Sequence, residues 1–142
     1  MVIKFYEDEY YMLSNLSAHA VEYGGLLFPT AEHAYQASKF NGKDVVEKIK
    51  NAKSPLLAKA IAKENLGTRA EKPNWKENKV TTMEGILKAK LEQHDEVRDA
   101  LLSTGSNEIV ENSPTDSFWG CGTDGKGESH LGKIWMKLRD EL

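Results

Sequence analysis

The chain has 142 residues, 39% of them apolar, a size that suits one domain over residues 1–142 without disulfide or metal staples. Its 22 acids against 19 bases leave a net charge of −3, which excludes a general attraction for nucleic acid or anionic lipid; an anionic ligand must be met by local groups. The one cysteine, Cys121, excludes an internal disulfide, the amino terminus lacks a secretory apolar core, and no stretch approaches the ~18 apolar residues of a membrane span, so a soluble cytoplasmic protein is expected.

Val2–Tyr6 reads as a short strand. Ala20–Tyr23 and Leu26–Phe28 flank Gly24-Gly25, a pair that permits the positive φ angles of a tight hairpin. Thr30 is placed to cap a helix running Ala31–Phe40, with Asn41-Gly42 as its stop. A short helix follows over Asp44–Lys50. Ser54-Pro55 then opens a helix over Leu56–Leu66 that ends at Gly67, with Leu57, Ala58 and Ile61 on one side and Lys59 and Lys63 on the other. Val80, Met83, Leu87 and Leu91 recur at helical spacing within Trp75–Gln93, for which Asn74 is a candidate cap. Asp95 starts a helix that stops at Gly105, and Leu131–Arg139 is the last. Strands first and helices after, without βαβ alternation, predict a helix-rich α+β domain with a small antiparallel sheet and about six helices.

Between Glu111 and Ser129 no aliphatic side chain is larger than proline, and five of the 11 glycines fall within positions 120–132. Long loops of this kind in small domains are usually functional. Glycines let backbone N–H groups approach an anion, and Trp119 at the edge offers a flat face to a base. The spacing matches no dinucleotide fingerprint or P-loop, and a packed surface loop is the competing reading.

The helix after Thr30 carries a second constellation. On an ideal helix Gln36 lies about 40° round from Glu32 and Lys39 about 20° the other way, so one stripe holds a carboxylate, an amide and an amine. A solvated polar face would explain such a stripe. Against it stands the position of Glu32 in a capped first turn, where a carboxylate is stabilised. Four scattered histidines and one cysteine give no metal spacing, so no metal and no redox cofactor are expected. Cys121 has no general base adjacent in sequence and reads as a bystander thiol. Lys59, Lys63, Lys88, Lys90 and Arg98 sit among acids as solvated helix faces. Arg69 and Trp75 flank the Pro73 turn and could meet a phosphate and a ring, or simply link two helices. Asn15 could orient a sugar hydroxyl or form a turn.

Taken together, Leu13-Ser14-Asn15-Leu16, the Phe28-to-Phe40 block with its Thr-x-Glu-His-x-x-Gln-x-x-Lys-Phe run, Arg69…Trp75, and Asp116-to-Gly127 with its Trp-Gly-x-Gly-x-Asp-Gly-x-Gly run resemble the NADAR (YbiA-like) family over nearly the whole chain. Leu16 and Ser129 depart from it, where Phe and Asn are usual; the second bears on one polar contact beside the glycine loop. The resemblance implies a YbiA-like fold and an N-glycosidase that cleaves ribose C1 from an exocyclic amino nitrogen. Its substrate would be a phosphorylated ribosylamino-pyrimidine of riboflavin synthesis or ADP-ribosylated guanine in nucleic acid. Such an aminal opens to an imine that an amine can displace, which needs one neutral lysine and one proton carrier rather than paired carboxylates. Lys39 is the expected nucleophile and Glu32 the proton carrier. Gln36, Arg69, Trp119, Gly120, Asp124 and Asn15 are the expected substrate contacts. The alternative is an ADP-ribose or NAD reader that hydrolyses nothing and has no need of the Glu32/Lys39 pair.

Overall fold

The computed structural model describes residues 2–5, 10–113, 115–122 and 124–142. Tyr6, the predicted end of the first strand, and Thr123 of the glycine-rich run lie outside the described residues. The chain divides into two compact units, a continuous one over Ala18–Gln93 and one assembled from both ends, Met1–Ser17 with His94–Leu142. Among the described residues six α-helices and two two-stranded sheets make the class α+β.

The strands are numbered along the chain: β1 (Val2–Phe5) belongs to the terminal unit, and β2 (Val21–Tyr23) and β3 (Leu26–Phe28) form the hairpin of the central unit. Gly24 and Gly25 both have positive φ, 61° and 85°, the backbone of the two-residue turn that their sequence predicts. Val21 pairs Phe28 and Tyr23 pairs Leu26. Thr30 caps α1 (Ala31–Ala37), its side chain accepting from the His33 N–H. The helices α2 (Lys43–Lys50), α3 (Pro55–Asn65) and α4 (Trp75–Gln93) follow, and α1 packs against all three. Ser54 caps α3 by accepting from the Leu57 N–H. At the other end of α4 the Gln93 amide accepts from the Glu22 N–H at 2.8 Å and donates to the Glu22 carbonyl at 2.9 Å. It thereby acts as a one-residue strand partner on the hairpin's edge.

Two expectations for this unit are corrected. The buried face of α3 runs through Ala58 and Ala62, and Leu57 is exposed. Small residues there let α3 approach α1 closely. Lys90 is not on a solvated face: it is fully buried, because it falls three and four residues after Leu87 and Ile86 on the stripe that α4 turns inward. Burial alone pushes its pKa down from 10.5 to about 7.

The terminal unit contains β1, a 3₁₀ turn (Tyr11–Leu13), α5 (Asp95–Ser103), β4 (Glu108–Glu111) and α6 (His130–Asp140). β1 and β4 pair in parallel, Val2 with Glu108 through Phe5 with Glu111, a sheet additional to the expected antiparallel one. α6 lies on β4. A Cβ on Gly132 would run into the Ile109 backbone carbonyl, so glycine is what lets the helix sit on the strand. The buried Trp135 indole donates to the Leu13 carbonyl at 2.9 Å, and Arg139 donates to Thr104 Oγ1 and the Asn107 carbonyl. No helix among the described residues is long and apolar enough to cross a membrane.

Candidate active site

The helix α1 is the buried centre of its unit. Of its seven residues only Glu32 is not fully buried. The solvated-face reading of its polar stripe is therefore overturned. His33 helps to hold the helix: its Nε2 donates to the Ala52 carbonyl at 3.0 Å, since a carbonyl only accepts. Its Nδ1 then accepts from the Thr30 hydroxyl at 2.8 Å. On the stripe, Gln36 Nε2 donates to Glu32 Oε1 at 2.8 Å, the i,i+4 contact expected of the spacing. The other end of that amide, Gln36 Oε1, is buried with no hydrogen-bond partner among the described residues.

The helix does not reach Lys39. It ends at Ala37 rather than at the predicted Phe40, and the Lys39 and Phe40 N–H groups bond back three residues, to Gln36 and Ala37. The cause is a competing partner. Asn41 donates from its backbone to the Ala70 carbonyl at 2.7 Å, and Lys72 donates to the Lys39 carbonyl at 2.8 Å. Phe40 bridges Glu71 in antiparallel fashion. Residues 39–41 turn out of the helix to meet residues 70–72, and that pairing ends it. The predicted helical offset between Glu32 and Lys39 does not apply as an axial rise.

This pairing brings the segment leading to Trp75 against Lys39. The Lys39 ammonium lies 4.5 Å from the Trp75 ring centroid and 5.0 Å from that of Tyr35, within cation–π range of both faces. Its pKa is lowered from the ordinary lysine value, chiefly because burial penalises the charge. The Glu32 carboxylate pulls the other way, and the Lys59 and Lys79 ammonium groups add to the lowering. An amine with these neighbours is more readily neutral than one in water. Trp75 Nε1 is a buried donor without a hydrogen-bond partner among the described residues.

Tyr35 and Trp75 also line a cleft of about 370 Å³, within the range of small-ligand sites. Lys72, Asn78 and Lys79 line it too; Glu32, Gln36, Lys39 and Arg69 do not. Arg69 is exposed in the turn after α3. Sequence reasoning raised Trp75 only as one of two readings and gave Tyr35, Lys72 and Lys79 no role. The signal for Trp75 was its place at the first position of α4, straight after Pro73-Asn74. The two lysines carried none, since exposed lysines are common on any helix-rich chain.

The remaining expected contacts belong to the terminal unit. Asn15 is buried in the turn where Ser17 N–H meets the Ser14 carbonyl. Trp119 is half-buried and meets Phe118 edge-on at 4.8 Å between centroids, while Phe118 stacks on His130 at 4.3 Å. Much of the glycine-rich backbone is occupied by its own hydrogen bonds: Gly122, Gly127, Glu128 and Ser129 donate to Asp116, Cys121, Ser117 and Gly120. A side chain at Gly120 would strike Ser113 and the Asp116 carbonyl. Asp124 is exposed and accepts from the Lys126 N–H at 2.9 Å. Cys121 is buried, in keeping with a bystander thiol. Ser129 is left-handed, φ 45°, and its hydroxyl accepts from the Glu111 N–H at 3.1 Å. Asparagine tolerates that backbone more readily, which gives the departure from the family pattern a structural meaning. Among the described residues no cluster of three or more His, Cys, Asp or Glu could hold a metal ion.

A family model described as the NADAR domain matches residues 4–142. The N-glycosidase YbiA of Escherichia coli (strain K12) is 36% identical over 99% of this chain and 88% of its own length. An N-glycosidase of Nostoc punctiforme is 40% identical over 100% of this chain and 93% of its own. A chloroplastic riboflavin biosynthesis protein of Zea mays, PYRR, is 35% identical over 99% of this chain, a match covering 25% of the maize protein. The NMR structure of the E. coli YbiA protein shares the fold with a TM-score of 0.87 at 36% identity, covering 99% of this chain and 84% of that one.

Proposed function

The chain belongs to the NADAR family and is an N-glycosyl hydrolase, and on that footing we propose that it hydrolyses a phosphorylated ribosylamino-pyrimidine through a Schiff base on Lys39. The observation that carries this reading is the half-buried Lys39 amine, set against the Tyr35 and Trp75 rings in the same unit as Glu32, where burial favours its neutral form. The name of the maize relative favours the riboflavin-type substrate over ADP-ribosylated guanine. A reader that hydrolyses nothing has no need of the Glu32/Lys39 pair and is set aside.

The chemistry follows from the substrate. A ribosylamine opens its ring when Glu32, entering as the acid, protonates the ring oxygen; this leaves the Glu32 carboxylate and a protonated imine at C1, an electrophile a neutral amine can attack. The Lys39 nitrogen forms a bond to C1, and one of its protons passes to the Glu32 carboxylate. The geminal diamine collapses when Glu32 gives that proton to the exocyclic nitrogen, which leaves as the free amino-pyrimidine and leaves a protonated Lys39 imine. Water then adds to that imine and the C1–Lys39 bond breaks, releasing the sugar aldehyde and the neutral amine while the remaining proton returns to Glu32. Gln36 positions Glu32 by donating to Oε1. This route asks Lys39 to be neutral and Glu32 to be near without locking it as an ammonium. The balance of burial against carboxylate charge supports both demands.

Arg69, for a phosphate, and the terminal-unit residues Trp119, Gly120, Asp124 and Asn15, for the base and the hydroxyls, are carried as substrate contacts to be tested variant by variant. We place the enzyme in the cytoplasm on its single buried thiol, and assign it no cofactor. Borohydride added during turnover of the ribosylamino-pyrimidine phosphate should leave the reduced sugar on the Lys39 peptide by mass spectrometry. Turnover without any adduct on Lys39 would overturn the mechanism, and no turnover of either ribosylamine would overturn the substrate class.

A further inference from the structure

An amine that is to act as a nucleophile must be kept from water, and the groups that do this for Lys39 are not all on its own helix. Tyr35 comes from α1, its ring centroid 5.0 Å from the Lys39 nitrogen. The Trp75 ring, from the start of α4, is nearer at 4.5 Å. The charged groups that act on the amine are Glu32 on α1, Glu71 in the paired segment, Lys59 on α3 and Lys79 on α4. The two carboxylates favour the ammonium and the two lysines oppose it, while burial outweighs each of the four. Whatever supplies that burial therefore governs the state of the amine.

The backbone pairing delivers the Trp75 ring. Lys72 donates from its N–H to the Lys39 carbonyl at 2.8 Å, and Asn41 donates to the Ala70 carbonyl at 2.7 Å. The two segments run so close that a Cβ on Gly42 would stand 3.0 Å from the Ala70 Cβ. α4 begins three residues after Lys72, so a segment bonded to Lys39 carries the indole over the Lys39 side chain. The indole Nε1 is buried without a hydrogen-bond partner among the described residues. Burying that donor is costly, and phenylalanine would present a ring without it. What the indole has over a phenyl ring is a broader and more electron-rich face, the best of the aromatic covers for an amine.

We propose that Trp75 is a positioning residue for the reaction, a cover that excludes water from Lys39 and holds its amine in place for C1. The role of the amine as nucleophile rests on the Schiff-base reading above; the cover does not. A ring face attracts an ammonium, yet it displaces water, which solvates that charge far better. These two effects push the proton affinity of the amine in opposite directions, so the net action of the ring can be read as a sign.

Two measurements on the intact protein test this. In the first, lysines are acetylated competitively across the neutral and alkaline range without substrate, and mass spectrometry of the Lys39 peptide gives its titration midpoint. Trp75→Ala should raise that midpoint by at least about one pH unit, towards the ~10.4 of a free lysine. Trp75→Phe should lie between Ala and wild type. Trp75→Leu, which excludes water without a ring face, should stay at or below wild type. Should Trp75→Ala fail to fold by circular dichroism, Trp75→Gln, which fills the space but admits water, carries the same expected rise. In the second, kcat should fall about tenfold at neutral pH for each unit the midpoint rises, and recover at alkaline pH. An equal loss at every pH would mark a merely structural role and overturn the proposal. So would a midpoint that is unmoved or lowered without the ring, or one that rises as far in Leu as in Ala. Turnover that leaves no borohydride adduct on Lys39 ends the nucleophile reading, while a raised midpoint still upholds the cover.

Discussion

Two runs of sequence draw the eye, the polar block from Thr30 to Phe40 and the glycine-rich block from Trp119 to Gly132, and the structure uses them in opposite ways. The first gathers groups that packing alone would not choose: a buried Gln36 amide bonded to the half-buried Glu32 carboxylate, and a half-buried lysine against two rings. The second removes side chains so that backbone can touch backbone, at Gly120 against Asp116, Gly127 against Gly120 and Gly132 against Ile109. A conspicuous motif marks a strong physical constraint. Whether the constraint is chemical or steric is decided by what the missing or added atoms would meet.

The contrast is broken most directly by one substitution in each run. Lys39→Ala should lower turnover by roughly 10³-fold or more while leaving the melting temperature unchanged or raised, since a poorly solvated charge is removed. Near-normal turnover in that variant would move the polar block to the steric side. Gly132→Ala should do the opposite, destabilising by more than about 4 kcal/mol or preventing soluble expression, because the new methyl has only the Ile109 carbonyl to meet. A stable Gly132→Ala protein, judged by urea unfolding, would contradict the packing account.

Glu32→Gln sharpens the chemical side. It should cost about 10²–10⁴-fold in rate, the usual worth of a positioned proton carrier. Glu32 raises the Lys39 pKa, so its neutralisation should also move the limb on which residual activity rises with pH towards lower pH. A limb that stays in place would show that the two groups are not coupled.

The last prediction concerns Lys90, a buried amine outside both runs whose effect is gradual in pH. Its folded pKa of about 7 lies below the 10.5 of an unfolded lysine, so between these values the unfolded chain holds more protons. Stability should therefore rise from about pH 7 towards 10.5, by at most about 1.4 kcal/mol per pH unit, and be lost as pH falls through about 7. Thermal melts across that range should show the slope in wild type and a flatter one in Lys90→Met.

Much of the fold was legible because it is local. The two glycines of the hairpin, the hydroxyl caps Thr30 and Ser54, and the full extent of Trp75–Gln93 are each set by residues within a few positions of one another. What escaped is non-local. β4 is four residues long and has its partner near the opposite end of the chain. The early end of α1 depends on residues 70–72, and the burial of Lys90 on a stripe whose neighbours are apolar while it is not. Within the candidate site the Glu32–Gln36 contact could be read from its i,i+4 spacing, whereas the place of Lys39, beyond the end of the helix, could not. Nor could the Trp75 ring beside it, which arrives only because the segment before α4 is drawn onto Lys39.

The parallel pairing of β1 with β4 sets an order of events during synthesis. Phe5 waits for Glu111, about 100 residues later, which at ordinary ribosomal speeds is roughly 5–20 s with an unsatisfied strand. Residues 18–93 are contiguous and can collapse in that interval, so the nascent chain should acquire α1 and the turn carrying Lys39 before its first and last segments are joined. A stalled chain released short of Glu111 would leave Val2–Phe5 as an open edge, the point at which a chaperone or a neighbouring nascent chain would first take hold.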